Sequence, residues 1–170
     1  KGKKFLTPHL IKDKNIISAN RISLYSSPKI ILAKIAITTE AFYDIEGEYA
    51  SVNTNCFHSF NKDYNPKYIL AWLNSKLFQY TFECFFEGLK MAGGYLLYSS
   101  PNVSKMFIKN IAPEEQKTFI ALVDKIILHK QQEKDTADLE QQIDELFYDL
   151  YELKADERKA VEGQAYTQKH

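Results

Sequence analysis

The chain has 170 residues, of which 14% are aromatic, and its formal net charge at pH 7 is zero. This length is enough to bury a hydrophobic core, and the aromatic content excludes a disordered chain. The neutral total argues against indiscriminate binding of nucleic acid.

The sequence has no apolar run of membrane-spanning length and no secretory signal. Cys56 and Cys84 are too few for a disulfide framework, which is typical of a reducing compartment. We therefore expect a cytoplasmic protein without a membrane partner. Because the sequence starts at Lys1 and not at a methionine, we also expect it to be part of a longer protein.

Charge is distributed unevenly along the chain. Up to Asn110 there are 14 Lys and Arg against 8 Asp and Glu, a net charge of +6. From Ile111 onward there are 8 against 14, a net charge of −6. This asymmetry is compatible with a basic functional half joined to an acidic helical half, although acidic helices are often only solvated surfaces.

The first 60 residues predict strands joined by turns. Residues 16–25 predict one or two short strands. The β-branched run at residues 29–37 predicts a central strand that is buried on both faces. Residues 43–49 predict a hairpin in which Gly47 supplies a position with positive φ, and residues 52–60 predict the returning strand.

The middle of the chain predicts a buried helix. Asn65 is a suitable N-cap and Pro66 a suitable first helical residue. The pattern from there to Phe86 is apolar nearly all round, so we expect one helix in the core. Glycines at 88, 93 and 94 predict a loop, and residues 105–109 predict a last short strand.

The chain after Pro113 predicts two clear helices and a short third one. Pro113 is tolerated in a first turn, and Glu114 and Glu115 suit the positive end of the helix dipole. Asp135 or Thr136 can cap a second helix. Its apolar residues follow the a/d spacing of a helical hairpin seam: Leu139, Ile143, Leu146, Leu150 and Leu153. Residues 155–162 predict the third helix. The helices can dock on their own domain or on a partner.

Together these elements predict an α+β fold. We expect a small mixed or antiparallel sheet with a buried helix, followed by a C-terminal helical hairpin. The predicted division is an α/β domain at residues 1–112 and a helical segment at 113–170 packed on it, with a disordered tail at 163–170.

No catalytic or metal site is predicted in this chain. It has neither a glycine-rich phosphate loop nor a Gly-x-Ser-x-Gly turn. Cys56 and His58 have no second pair at zinc spacing. The carboxylates of Asp44, Glu46 and Glu48 are interpreted as exposed hairpin residues and not as an acid/base pair. We therefore expect no catalytic residue, no metal and no enzymatic activity in this fragment.

Three motifs, taken in order, carry a resemblance to a known family. They are the helix Leu70-Ala71-Trp72-Leu73-Asn74-Ser75-Lys76-Leu77, the turn Pro113-Glu114-Glu115-Gln116, and the closing segment Ile143-Asp144-Glu145-Leu146-Phe147-Tyr148-Asp149-Leu150-Tyr151-Glu152-Leu153. Pro28-Lys29-Ile30 is a weaker fourth match. From about residue 28 to 162 the chain resembles the TaqI-like C-terminal specificity domain of type IIG and IIS restriction–modification enzymes. Glu152 and Lys154 depart from the glycine and threonine usual in that family, so we expect a poorer helix stop and a poorer next cap.

The resemblance implies a target recognition domain for double-stranded DNA. In such enzymes an adenine-N6 DNA methyltransferase with an Asn-Pro-Pro-Tyr motif lies N-terminal in the same chain, often with a nuclease. That motif is absent here, and Asn65-Pro66 is not a version of it. No cofactor is therefore expected in this fragment, whereas S-adenosylmethionine and Mg²⁺ are expected in the parent protein.

DNA recognition needs basic side chains for phosphates and polar side chains or close backbone approach for base edges. The candidate phosphate contacts are Arg21, Lys29, Lys34, Lys62, Lys90 and Lys105. The candidate base contacts are Asn53, Asn55, Gly93, Gly94 and Tyr95. Each lysine can also be an ordinary surface residue, and Lys34 can protect a sheet edge.

Two alternatives to DNA recognition by this chain in a methyltransferase remain open at this point. The helices after residue 113 can form a protein–protein assembly surface with no DNA contact, which the zero net charge favours. The chain can also be half of a type I restriction specificity subunit, which differs in its partner and not in its chemistry.

Overall fold

The computed structural model describes residues 15–49 and 53–167, and the start of the strand predicted at residues 52–60 lies outside them. The described helices are α1 Ala19–Tyr25, α2 Pro66–Leu73, α3 Lys76–Phe86, α4 Ser100–Val103, α5 Pro113–Gln131, α6 Ala137–Leu150 and α7 Ala155–Thr167. The described strands are β1 Lys29–Ala33, β2 Ile35–Ala36, β3 Ala41–Asp44, β4 Thr54–Phe57 and β5 Leu96–Leu97. The predicted α+β class with small antiparallel sheets and C-terminal helices is confirmed.

The main sheet has three strands in the order β3-β1-β4, with β1 antiparallel to both neighbours. β1 is the predicted central strand, and its first four residues are buried. The predicted strand at 29–37 is nevertheless interrupted at Lys34, after which β2 pairs with β5 in a second, two-stranded sheet.

The hairpin predicted at residues 43–49 is wrong, because β3 pairs with β1 and not with the strand that follows it. Gly47 does have positive φ, at 67°. A Cβ there would lie 2.4 Å from the carbonyl carbon of Ser26, so the loop passes tightly against the end of α1 instead of reversing into a hairpin.

A buried ion pair joins β1 to β3. Lys29 is 0% exposed, donates to the carbonyl oxygen of Tyr25 at 2.9 Å, and pairs with Asp44. Asp44 also accepts from the backbone N–H groups of Glu48 at 3.0 Å and Tyr49 at 2.9 Å. Burial alone would raise the pKa of Asp44, but these hydrogen bonds hold it below its ordinary value. The interpretation of Asp44 as an exposed hairpin residue is therefore wrong.

Two other local predictions are wrong. Residues 19–25 form α1 and not strands, because the helix ends against β1, where Lys29 satisfies one of its last carbonyl groups. Residues 105–109 form no strand. The N–H and C=O of Lys109 bond instead to the hydroxyl groups of Tyr151 and Tyr68, both at 2.8 Å.

The predicted core helix is buried but consists of two helices. Asn65 caps α2, since its side chain accepts from the N–H of Lys67 at 2.9 Å. The break follows Leu73, where Asn74 turns to bond both the N–H and the C=O of Ala41 at 2.9 Å. Ser75 then caps α3 by accepting from the N–H of Phe78 at 3.1 Å.

The C-terminal helices dock on the same core. α5 packs on α2 and α6, and α3 contacts α6 and α7. Phe147 lies against both Trp72 and Phe119, with ring centroids 5.1 Å and 4.6 Å away. The predicted starts at Pro113 and after Thr136 are confirmed.

Helix α7 continues to Thr167, so the tail predicted to be disordered is helical from Gly163 to Thr167, and residues 168–170 lie outside the described part. Val161 is 2% exposed, and Glu162 bonds Lys76 at 2.7 Å and Tyr148 at 2.8 Å. These contacts hold the preceding turn, and extension of an anchored helix adds one backbone hydrogen bond for each residue fixed.

Glu152, which stands where the family usually has glycine, occupies a special backbone position at the end of α6. Glu152 has a φ of 57°, while the N–H of Leu153 bonds the carbonyl of Tyr148 at 2.9 Å. This is a Schellman stop with a non-glycine residue in the left-handed position. We expect Glu152→Gly to raise the free energy of unfolding by about 0.5–1 kcal/mol, because glycine has no Cβ to strain that conformation.

Urea denaturation of Glu152→Gly beside Glu152→Ala measures this. The alanine variant removes the same charge but keeps a Cβ, so it should show no comparable gain. Equal stabilisation by both substitutions would mean that the charge and not the backbone is the cause.

Asp144 is a buried carboxylate whose side chain accepts from the N–H of Lys76 at 2.8 Å at the start of α3. Burial raises its pKa from 3.8 to about 6, against the opposing hydrogen bond and charge of Lys76. Because the folded-state pKa is the higher one, its stabilising contribution is present below about pH 4 and is lost as the pH rises through about 6.

Between pH 4 and 7 this group should lower the free energy of unfolding by about 1–3 kcal/mol. Asp144→Asn keeps an acceptor for the N–H of Lys76 and does not ionise, so its stability should fall less over the same range. Urea denaturation at several pH values compares the two proteins, and parallel pH curves would contradict the assignment.

Candidate nucleic-acid interface

Two of the predicted DNA contacts, Lys34 and Asn55, bond to Tyr98, a completely buried side chain. Its backbone N–H donates to the carbonyl of Lys34 at 2.9 Å, and its carbonyl accepts from the side-chain amide of Asn55. Its hydroxyl donates to Oε1 of Gln79 at 2.6 Å. Burial raises the pKa of this hydroxyl, so it remains a neutral donor. Tyr98 thus connects the β1–β2 junction, β4 and α3.

Lys34 and Asn53 lie side by side at one end of the main sheet. The N–H of Lys34 donates to the carbonyl of Asn53 at 3.1 Å, where β1 ends and β4 begins. Lys34 is half-buried and Asn53 is exposed. The backbone of Lys34 bonds to both neighbours, so the interpretation of this residue as protection of a sheet edge is wrong.

The loop between α3 and β5 presents the predicted glycines. Gly93 and Gly94 have φ values of 79° and 80°, which residues other than glycine rarely adopt. The N–H of Met91 donates to the carbonyl of Tyr95 at 2.7 Å and closes the loop tip. Met91 and Tyr95 are 41% and 43% exposed.

Two lysines flank this loop. Lys90 lies 3.6 Å from the carboxylate of Glu83, a residue on α3 whose side chain is 4% exposed. Lys105 lies over the ring of Phe86, 5.9 Å from its centroid, at the end of the same helix. We define the Tyr98 region as the exposed or half-buried residues around these elements: Lys34, Asn53, Lys90, Met91, Gly93, Gly94, Tyr95 and Lys105.

Two of the predicted DNA contacts are wrong, because their side chains are buried. Lys29 is 0% exposed and paired with Asp44, so it cannot reach a phosphate. Asn55 is 8% exposed, and its side-chain oxygen accepts from the hydroxyl of Ser100 at 2.7 Å while its amide bonds Tyr98. Both side chains hold the sheet and are not available to DNA.

Arg21 and Lys62 lie on other elements. Arg21 is exposed on α1. Lys62 lines a cleft of about 340 Å³ between the segment before α2 and the start of α5. Gln116 also lines this cleft, where it accepts from the N–H of Asn65 at 2.9 Å and donates to the carbonyl of Asp63 at 2.7 Å.

Two apolar residues in and just after α3 are exposed, which sequence reasoning missed. Phe85 is 63% exposed although the helix pattern predicted it in the core, and Met91 was not singled out. Phe85 and Phe86 are adjacent in an unbroken apolar run, so the sequence pattern does not show that only Phe86 packs against the core.

In the described ranges 15–49 and 53–167, no group of three or more His, Cys, Asp or Glu residues could hold a metal ion. None of the helices described there is long and apolar enough to cross a membrane.

The chain matches a known protein family. A family model described as the TaqI-like C-terminal specificity domain matches residues 5–92, just over half of the chain. The matched part includes the Pro28-Lys29-Ile30 strand and the Leu70 to Leu77 motif, and it ends before Pro113. No curated protein matches the chain.

The structural role of Lys29 in the buried ion pair can be tested by substitution. Lys29→Met leaves a buried carboxylate without its cationic partner, so we expect the free energy of unfolding to fall by about 3–5 kcal/mol. The matched variant Lys34→Met, only five residues further on, should change it by less than about 0.5 kcal/mol. Urea denaturation measures both, and similar small effects at the two positions would contradict the structural role of Lys29.

Proposed function

The chain belongs to the TaqI-like C-terminal specificity domain family, and we propose that it recognises a specific double-stranded DNA sequence for a restriction–modification protein. The observation that carries the proposal is the Tyr98 region. There, lysines, exposed polar and aromatic side chains and a glycine-containing loop lie around one buried network.

The chemistry of this region suits DNA. Lys34 and Lys105 offer positive charge for phosphates, which position a protein on the duplex. Asn53 and the loop tip offer polar atoms and close backbone approach for base edges. The half of the chain up to Asn110 carries a net charge of +6, so it would attract DNA, while the acidic C-terminal helices would face away from it.

The proposal extends to the parent protein on the strength of the family resemblance. We propose a cytoplasmic type II enzyme that is a site-specific adenine-N6 DNA methyltransferase and restriction endonuclease. Its methyltransferase domain would lie N-terminal in the same chain, bind S-adenosylmethionine, and supply the DNA methylation, and Mg²⁺ would serve cleavage. This chain would contribute recognition and no catalytic residue.

The packing of α6 argues against a pure assembly module. Ile143 and Phe147 are 5% and 0% exposed, and the seam leucines lie against the chain's own core. The predicted hairpin seam is therefore occupied internally and is not left for a partner.

Charge reversal tests the proposal with the intact protein. Lys34→Glu and Lys105→Glu should each weaken binding to the preferred duplex by about 10-fold or more and lower the slope of log affinity against log salt by about one. Lys117→Glu is the matched control, since it changes charge equally on α5, where Lys117 is 68% exposed.

Fluorescence anisotropy at several salt concentrations gives both the affinity and the slope. Equal loss in the α5 control, or equal binding of every duplex by the unmodified protein, would remove the case for this surface.

A further inference from the structure

The loop tip at residues 91–95 follows Lys90, which forms an ion pair with Glu83 on α3. Glu83 is buried on α3, and its carboxylate accepts from Nε2 of Gln79 at 2.5 Å and lies 3.6 Å from Nζ of Lys90. A buried carboxylate is costly unless it is hydrogen-bonded and charge-paired. Withdrawal of Lys90 toward a phosphate would therefore remove a positive charge that Glu83 needs.

The orientation of Gln79 fixes the position of Glu83. Its Oε1 accepts from the hydroxyl of Tyr98 at 2.6 Å and the N–H of Thr39 at 2.8 Å. Its Nε2 donates to the carbonyl of Ile37 at 3.2 Å as well as to Glu83. These four partners fix the orientation of the Gln79 amide. The carboxylate of Glu83 is therefore held by the same hydrogen-bond network that includes Tyr98.

The loop tip is closed by its own backbone. The N–H of Lys90 donates to the carbonyl of Glu87 at 3.0 Å, and the N–H of Gly94 donates to that of Met91 at 3.1 Å. With the bond from Met91 to Tyr95, this leaves a compact turn between Lys90 and β5. The turn presents Met91 and Tyr95 beside two glycines that allow close approach.

We infer that this loop tip, residues 91–95, contacts base edges and that Glu83 and Lys90 are positioning residues for it. The inference rests on the proposed function and deepens it. Lys90 acts through the loop and not as a phosphate contact. Met91 and Tyr95 supply apolar and hydroxyl contacts to bases, and the ion pair keeps them in the geometry that discriminates one sequence from another.

The experiment uses the intact protein, its preferred duplex and a scrambled duplex, with affinities measured over a series of salt concentrations. For Lys90→Gln we expect affinity for the preferred duplex to fall about 10-fold, with unchanged affinity for the scrambled duplex and an unchanged salt slope. Glu83→Gln should do the same, and Lys90→Arg should restore most of the discrimination.

The double variant tests whether the two residues act as one unit. If they do, Glu83→Gln combined with Lys90→Gln is no worse than either single variant. Tyr95→Ala leaves the ion pair intact, and it should relax selection at one or two base pairs by about 10-fold or more.

Three results would overturn the inference. One is a salt slope that falls by about one in Lys90→Gln with equal losses on both duplexes, which identifies a phosphate contact. The others are full discrimination in Glu83→Gln, and full discrimination in Tyr95→Ala. If the unmodified protein itself binds both duplexes equally, the proposed function fails, which is a distinct outcome from failure of the positioning role alone.

Discussion

The buried tyrosine Tyr98 is the constraint on which the candidate interface depends. Its N–H, carbonyl and hydroxyl bond to three different elements, and none of these groups can be left unpaired without a penalty of about 1–3 kcal/mol. The short strands β2 and β5 have few backbone hydrogen bonds of their own. The bonds of Tyr98 and the burial of Ala36 and Leu96 in the core therefore fix these strands together, and the loop that enters β5 ends at this fixed strand.

The polar residues in the motifs that resemble the family have structural roles in this fold. Asn74 bonds the edge strand β3, and Ser75 caps α3. Gln116 donates to the carbonyls of Asp63 and Ile111 and holds the start of α5. Asp144 caps α3 from another helix. These polar side chains hold helix ends and strand edges at fixed places, which leaves the exposed loops between them to differ in what they contact.

The features that depend only on neighbouring residues could be predicted from the sequence. Proline at the start of α5 and the cap at Asn65 need only neighbouring residues, so both helix starts were predictable, as were the central strand and the positive φ of Gly47. The strand order was not predictable, because β1 pairs with both β3 and β4, and these pairings join residues that are distant in sequence. Lys29 looked like Lys34 in sequence, yet only Lys29 meets a buried carboxylate. For the same reason the sequence named Lys90 but could not reveal its pairing with Glu83.

In the proposed function, the residues around Tyr98 contact DNA. Photocross-linking of the intact protein to its preferred duplex, followed by mass spectrometry of the cross-linked peptides, tests this contact. We expect cross-links at the loop tip, residues 91–95, and at Lys34 or Lys105. Cross-links confined to α5 and α6, with the loop tip untouched, would contradict it.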